Sequence, residues 1–153
     1  MFTVKKLIET FNLKPHPEGG YFCETYRAPG DPCFCTAIYF MLPRGTQSNL
    51  HKIKSDELWH FYLGQSLTIV QISPQGEVET ICLGPDVLKG EQLQHVVPAG
   101  YWFGAFPNPD SDFAFVGCTV APGFEFQDLT LANRQELIKI FPHLSTWIER
   151  LTP

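Results

Sequence analysis

From Tyr21 to about Ala121 apolar and polar residues alternate in short runs, broken by Gly, Pro, Asp and Ser. The runs YFCETYR, CFCTAIYFML, ELWHFYL and SLTIVQI are followed by EVETICL, LQHVV, YWFGAF and FAFVGCTV. They are rich in β-branched and aromatic residues, and no helical period lies between them. This pattern predicts roughly eight strands of an antiparallel sandwich or barrel. SPQG, between Ile72 and Glu77, reads as a hairpin loop.

The two ends have a different period. Val4, Leu7, Ile8 and Phe11 fall on one helix face, and LKPHPEGG stops that helix. Near the other end, Asn133 followed by Glu136 reads as an N-cap with a carboxylate returning from N3. Leu137, Ile140 and Phe141 form the expected apolar stripe, and Pro142 ends it. Leu144, Trp147, Ile148 and Leu151 repeat the spacing in a last short helix. No internal repeat, low-complexity tract or linker interrupts the chain, so residues 1–153 read as a single domain.

Hydrophobic residues make up 44% and charged residues 18% of the 153, which is a globular and not a disordered composition. The 14% aromatic share, with 13 Phe, suits a strand-rich core. A net charge of -5 and the lack of any Lys or Arg run argue against nucleic acid or an anionic membrane as partner. MFTVKKLIETFNL carries charges where a signal peptide needs an apolar segment, and no stretch approaches the length of a membrane span. A cytoplasmic location is therefore expected. Five cysteines without a CxxC pair read as buried free thiols, with Cys33 and Cys35 on one side of a strand.

Candidate chemistry gathers in GTQSNLHKIKSDELWHFYLG, from Gly45 to Gly64. Alternate side chains of a strand share a face. If Lys52 and Lys54 point to water, His51 and Ile53 point inward. On the next strand Glu57, Trp59 and Phe61 share the inner face. A buried His and a buried Glu on neighbouring strands need partners, which predicts a paired imidazole and carboxylate in a cavity. His60 has the opposite parity and joins Glu57 only through a bulge. Trp59, Tyr101 and Phe103 are candidates for stacking on a ligand ring and are equally suited to a core. In HPEGGYF, Gly19 and Gly20 permit positive φ or close backbone approach, and Glu18 is a candidate for the pocket mouth or a subunit contact. Arg44 reads as a solvated loop residue, and Glu125 and Asp128 as solvated or paired with basic residues.

Gly45, His51, Glu57 and Gly64 match the spacing of the first cupin motif, G-x5-H-x-H-x3-E-x6-G, and PAGYWF at Pro98–Phe103 is similar to the second. HPEGGYFCETYR, SDELWHFYLG, VPAGYWFGAF and APGFEFQDLTLANRQELIKIFP, in this order, resemble the Cupin_5 (DUF985) family of RmlC-like cupins. The resemblance implies a mostly β chain: a double-stranded β-helix (jelly-roll) barrel with flanking helices at both ends. It also implies a homodimer, which an exposed sheet edge favours as well.

The chain departs from the motifs at two metal-ligand positions, which hold Ile53 and Phe103. His51 and Glu57 remain, with His60 or His95 as a third donor, and a catalytic metal site needs three or more. A divalent metal and a metal-free pocket both stay open as readings. In the metal-free case the resemblance implies an isomerase or epimerase acting on a carbohydrate or nucleotide-sugar-like compound. His51 would be its base, and Glu57 would orient His51 or shuttle a second proton. A ligand-binding or sensing module without turnover, and a metal-dependent cupin enzyme, are the alternatives on the same residues.

Overall fold

The computed structural model describes all residues, Met1–Pro153. Helix α1 (Val4–Phe11) starts where the Thr3 hydroxyl accepts the Lys6 amide, and it ends at Asn12 in the left-handed conformation. Eleven strands follow in two antiparallel sheets. One contains β1 (Lys14–Pro15), β2 (Tyr21–Arg27), β3 (Thr36–Pro43), β10 (Phe113–Ala121), β5 (Asp56–Gly64) and β8 (Gln94–Val97), in that spatial order. The other contains β11 (Thr130–Leu131), β4 (Ser48–Lys52), β9 (Trp102–Pro107), β6 (Leu67–Ile72) and β7 (Val78–Leu83). The sheets face each other as a jelly roll, and no ladder closes them into one barrel.

Strand alternation assigns the two faces of each sheet. Phe40 and Leu42 of β3, Trp59 of β5, Ile69 of β6 and Phe103 of β9 meet in the central core. Residues between them point out, and helices cover part of these outer faces. Met41, Phe113 and Phe115 pack under Leu7 of α1. Leu50, Val70 and Ile72 pack under α2 (Arg134–Ile140) and α3 (Ser145–Arg150), through Leu137, Ile148 and Leu151. The Asn133 side chain accepts the Glu136 amide at 3.0 Å and so caps α2. Arg134 ties α2 to the chain end through the Thr152 hydroxyl and carbonyl. No helix is long and apolar enough to cross a membrane.

Two local expectations need correction. Ile140 is 64% exposed, because only Leu137 and Phe141 of its stripe reach the sheet. Cys33 and Cys35 precede β3, and Cys33 turns into a loop where its thiol meets the carbonyl oxygens of Ala28 and Cys35. The two-residue strands β1 and β11 are too short to carry a period. The fold itself is the expected jelly roll, its two sheets keeping free edges.

Candidate functional site

The turn between β1 and β2 places the first acidic group. Lys14 pairs with Phe22 and Pro15 with Tyr21, which leaves His16 to Gly20 to reverse the chain. The Gly19 amide donates to the His16 carbonyl and the His16 amide to the Gly20 carbonyl, both at 3.0 Å. The turn docks on the neighbouring sheet, where the Asn49 amide donates to the Glu18 carbonyl at 2.6 Å. Gly19 has φ of +111°, and a Cβ there would strike the Gln47 carbonyl. The backbone therefore requires glycine here, and the same geometry turns the Glu18 side chain inward.

Glu18 meets His51 of β4, with 2.8 Å between its Oε2 and His51 Nε2, and both residues are buried. His51 Nδ1 lies 2.8 Å from the Asn49 carbonyl. A carbonyl only accepts, so Nδ1 carries a proton, and Nε2 donates a second one to the carboxylate. Burial works against the charged ring. Glu18, then Glu57 and the Asn49 carbonyl, outweigh it and raise the His51 pKa to about 9. Burial likewise works against the Glu18 carboxylate, but His51 overrides it and holds the pKa of Glu18 below its ordinary value. The Ser48 hydroxyl also favours the Glu18 anion, yet its oxygen has no partner at hydrogen-bonding geometry.

Glu57 lies on β5, between Val97 of β8 and Val120 of β10 in register. The Trp59 indole N–H, on the same face, donates to its Oε2 at 3.0 Å, and no donor meets Oε1. Burial, and next the charge of Glu18, push the Glu57 pKa up to about 7. His16 is the fourth polar group. The Glu18 amide donates to its Nδ1 at 3.1 Å, which leaves the proton on Nε2. Burial lowers the pKa of this imidazole despite the nearby Glu18, so it is neutral at pH 7.

These groups line one cleft with Ile53, Cys118 and the rings of Phe22, Phe124 and Phe126. About 500 Å3 of space lies there outside the atoms, open solvent at the mouth included. The centre of a water molecule fits in only about 30 Å3 of it, so the enclosed part takes a small group and not a whole large ligand. Burial, and then the charges of Glu57 and Glu18, raise the Cys118 pKa well above the ordinary thiol value. The sulfur is a neutral thiol and a poor nucleophile.

The structure brings His51, Glu57 and Glu18 together and separates the other candidates. Glu18 is not at the mouth: it is the carboxylate that holds His51, the part expected of Glu57. Trp59 and Phe103 are both 1% exposed and belong to the core. Trp59 reaches the site only through Glu57. Phe103 stands opposite His51 across the β4–β9 ladder, with ring centroids 4.1 Å apart. Tyr101 is half-buried against the same core and is absent from the lining. The parity of β5 keeps His60 on the opposite face, with the Thr119 hydroxyl at 3.1 Å and the Tyr62 ring stacked beside it. His95 contacts Gln71 Oε1 at 2.8 Å, away from the cleft. Arg44 pairs with Asp112 at the surface.

His16 and Phe22 lie in HPEGGYF, and Phe124 and Phe126 in APGFEF, but neither stretch assigns them a role; Cys118 lies in neither, and only the folded chain assembles the five. The HPEGG turn was the one legible signal for His16. A metal does not fit this donor set. No three His, Cys, Asp or Glu side chains converge at ligating geometry. Both His51 nitrogens are engaged, and Glu18 takes the place a cation would occupy beside Nε2.

Fold and site together define a cupin whose first-motif histidine, His51, is held in a buried ion pair with Glu18. The family model for Cupin_5, cupin superfamily (DUF985), matches residues 5–132, and the chain belongs to this family. An uncharacterised protein of Saccharomyces cerevisiae, YML079W, is 30% identical over 90% of this chain and 79% of its own length. Among solved structures, protein SO0799 from Shewanella oneidensis is 38% identical, with a TM-score of 0.94 over 100% of this chain and 99% of its own. A hypothetical protein from Leishmania major has 29% identity and a TM-score of 0.92, with 99% of each chain covered. Oxalate decarboxylase from Bacillus subtilis shares the fold alone, at 14% identity and a TM-score of 0.60 over 90% of this chain and 36% of its own.

Proposed function

We propose that this cupin is an acid–base catalyst of the isomerase or epimerase type, acting on a small carbonyl compound without a metal. The observation that carries the reading is Glu57. It is a buried carboxylate with one oxygen held by Trp59, the other without a donor, and a pKa of about 7. A base of that strength is well matched to proton transfer near neutral pH. Glu57 Oε1 takes the proton from the carbon beside the carbonyl, and the C–H electron pair moves onto the carbonyl oxygen as an enolate. Glu57 exchanges that proton with solvent, and a proton then returns, either from water to the other face of the same carbon or from Glu57 to the neighbouring carbon once the compound's α-hydroxyl proton has shifted to the enolate oxygen. His16, neutral and with its Nε2–H free of any protein acceptor, suits the enolate oxygen as a donor. His51 is not the base in this reading, because both its protons are already committed. The lining contains no free Lys or Arg to meet a diphosphate. This favours a small compound over a nucleotide sugar.

The test is wash-in of solvent deuterium at carbon. Small aldoses, ketoses and amino ketones are incubated with the protein in D2O and followed by NMR. Exchange by the wild type and a loss of about 100-fold or more in Glu57→Gln is expected. Gln keeps the acceptor for Trp59, so the fold is retained. A compound that binds saturably and never exchanges would turn the reading to a sensing module. Equal exchange by wild type and variant would refute it.

A further inference from the structure

The charges around the cleft are unequal. Glu18 is matched by His51. Glu24, also in the lining, is matched by Arg27, whose guanidinium serves Glu125 as well. Glu57 has no cationic partner of its own, and its free oxygen belongs to a carboxylate that is only 8% exposed. No Lys or Arg, Arg27 included, is among the lining residues. An anionic ligand would find no unpaired cation, only carboxylates and the neutral His16 donor.

Aromatic faces supply the second observation. Phe22, Phe124 and Phe126 line the same cleft, with Phe126 set edge-on to Phe22 at 6.2 Å and to Phe124 at 5.0 Å between centroids. Phe126 is 52% exposed, so its ring is open to a ligand at the cleft. Ring faces attract cations through their quadrupole, and a narrow cleft of low dielectric strengthens the field of an unmatched carboxylate. From the cleft's unpartnered Glu57 oxygen and its rim of phenylalanine rings, we infer that the ligand is a small organic cation, an amine or ammonium compound with an apolar or ring body.

The inference rests on the cleft being the ligand site, and it adds to the proposed chemistry. An ammonium beside the reacting carbon stabilises the negative charge that develops when the proton leaves. It also supplies the counter-ion that Glu57 lacks. The enclosed space admits such a group, while the apolar body lies along the rings at the mouth.

Titration calorimetry with benzylammonium, benzyl alcohol and benzoate at pH 8 tests this, because the three differ mainly in charge. Benzylammonium is expected to bind at least about 10-fold more tightly than the alcohol, with no saturable binding of benzoate. Glu57→Gln should shrink the difference between amine and alcohol. Phe126→Leu, at an exposed position that cannot unfold the core, should weaken the amine more than the alcohol. Benzoate binding, or an alcohol that binds as well as the amine, overturns the inference and leaves the proton-transfer reading standing. Failure of all three ligands to bind at low millimolar concentration removes the cleft as a site for ring compounds, and this inference with it.

Discussion

Glu18 and His51 behave as one unit, each keeping the other charged inside the fold. Removing one partner of such a pair costs about 3–5 kcal/mol, much of it the penalty on the charge left behind. Glu18→Gln takes away the largest force that raises the His51 pKa and leaves burial to lower it. The imidazole, at about 9 in the wild type, should then titrate lower, with Glu57 and the Asn49 carbonyl still opposing burial. An NMR titration of the ring reads this directly, and an unchanged pKa would mean that the pair is not what holds the proton. Glu57 should feel the same change. Its pKa falls when the Glu18 charge is removed, because that charge is the second cause of its elevation.

At the scale of elements, the turn from β1 to β2 decides whether the cleft exists. Its two glycines, Gly19 and Gly20, both have positive φ. A Cβ on Gly20 would lie 2.8 Å from the Met41 carbonyl oxygen, so neither position tolerates a side chain without movement. Gly19→Ala is expected to cost about 1–3 kcal/mol of stability through the strained backbone. It should also withdraw Glu18 from His51, so the pKa of that imidazole falls as in Glu18→Gln. A variant that loses stability but keeps the titration of His51 would show that the turn and the pair are independent.

The whole molecule registers the same groups as a pH dependence of stability. Glu57 keeps its proton in the folded state from its ordinary 4.5 up to about 7, while the unfolded chain has released it. His51 keeps its proton from 6.5 up to about 9. Stability falls with rising pH wherever the folded state holds more protons, so these two groups lower the melting temperature from about pH 5 to about pH 9, opposed below about 6.5 by His16, His60 and His95, whose depressed pKa values have the reverse sign. Glu18 acts in the opposite sense: its depressed pKa contributes stability above 4.5 that is lost as pH falls through the folded value. Glu57→Gln should flatten the decline below pH 7 and leave the part above it. A melting temperature that rises across this range would contradict the assigned protonation. Away from the cleft, the C-terminal helices are part of the fold. Ile148 is fully buried under the β4–β9–β6 face, and Ile148→Ala should cost about 2–5 kcal/mol in urea unfolding.

What the sequence determined by itself was local. Alternation placed His51, Ile53, Glu57 and Trp59 inward and His60 outward, because the side-chain period of a strand is a property of a few consecutive residues. Capping at Asn133, the hairpin at SPQG and the family were legible for the same reason: each is written in a contiguous stretch. Alternation could not say which carboxylate His51 would meet. That partner, Glu18, stands 33 positions earlier on a turn docked across the sheet gap. Nor could it separate Trp59 and Phe103, which are core, from Phe22, Phe124 and Phe126, which line the cleft, since all five are apolar rings in β-like text. Tertiary structure decided those matters, because burial and pairing depend on what the opposite sheet and the returning loops bring near, and the energy of a buried charge is set by its neighbours and not by its position in the chain.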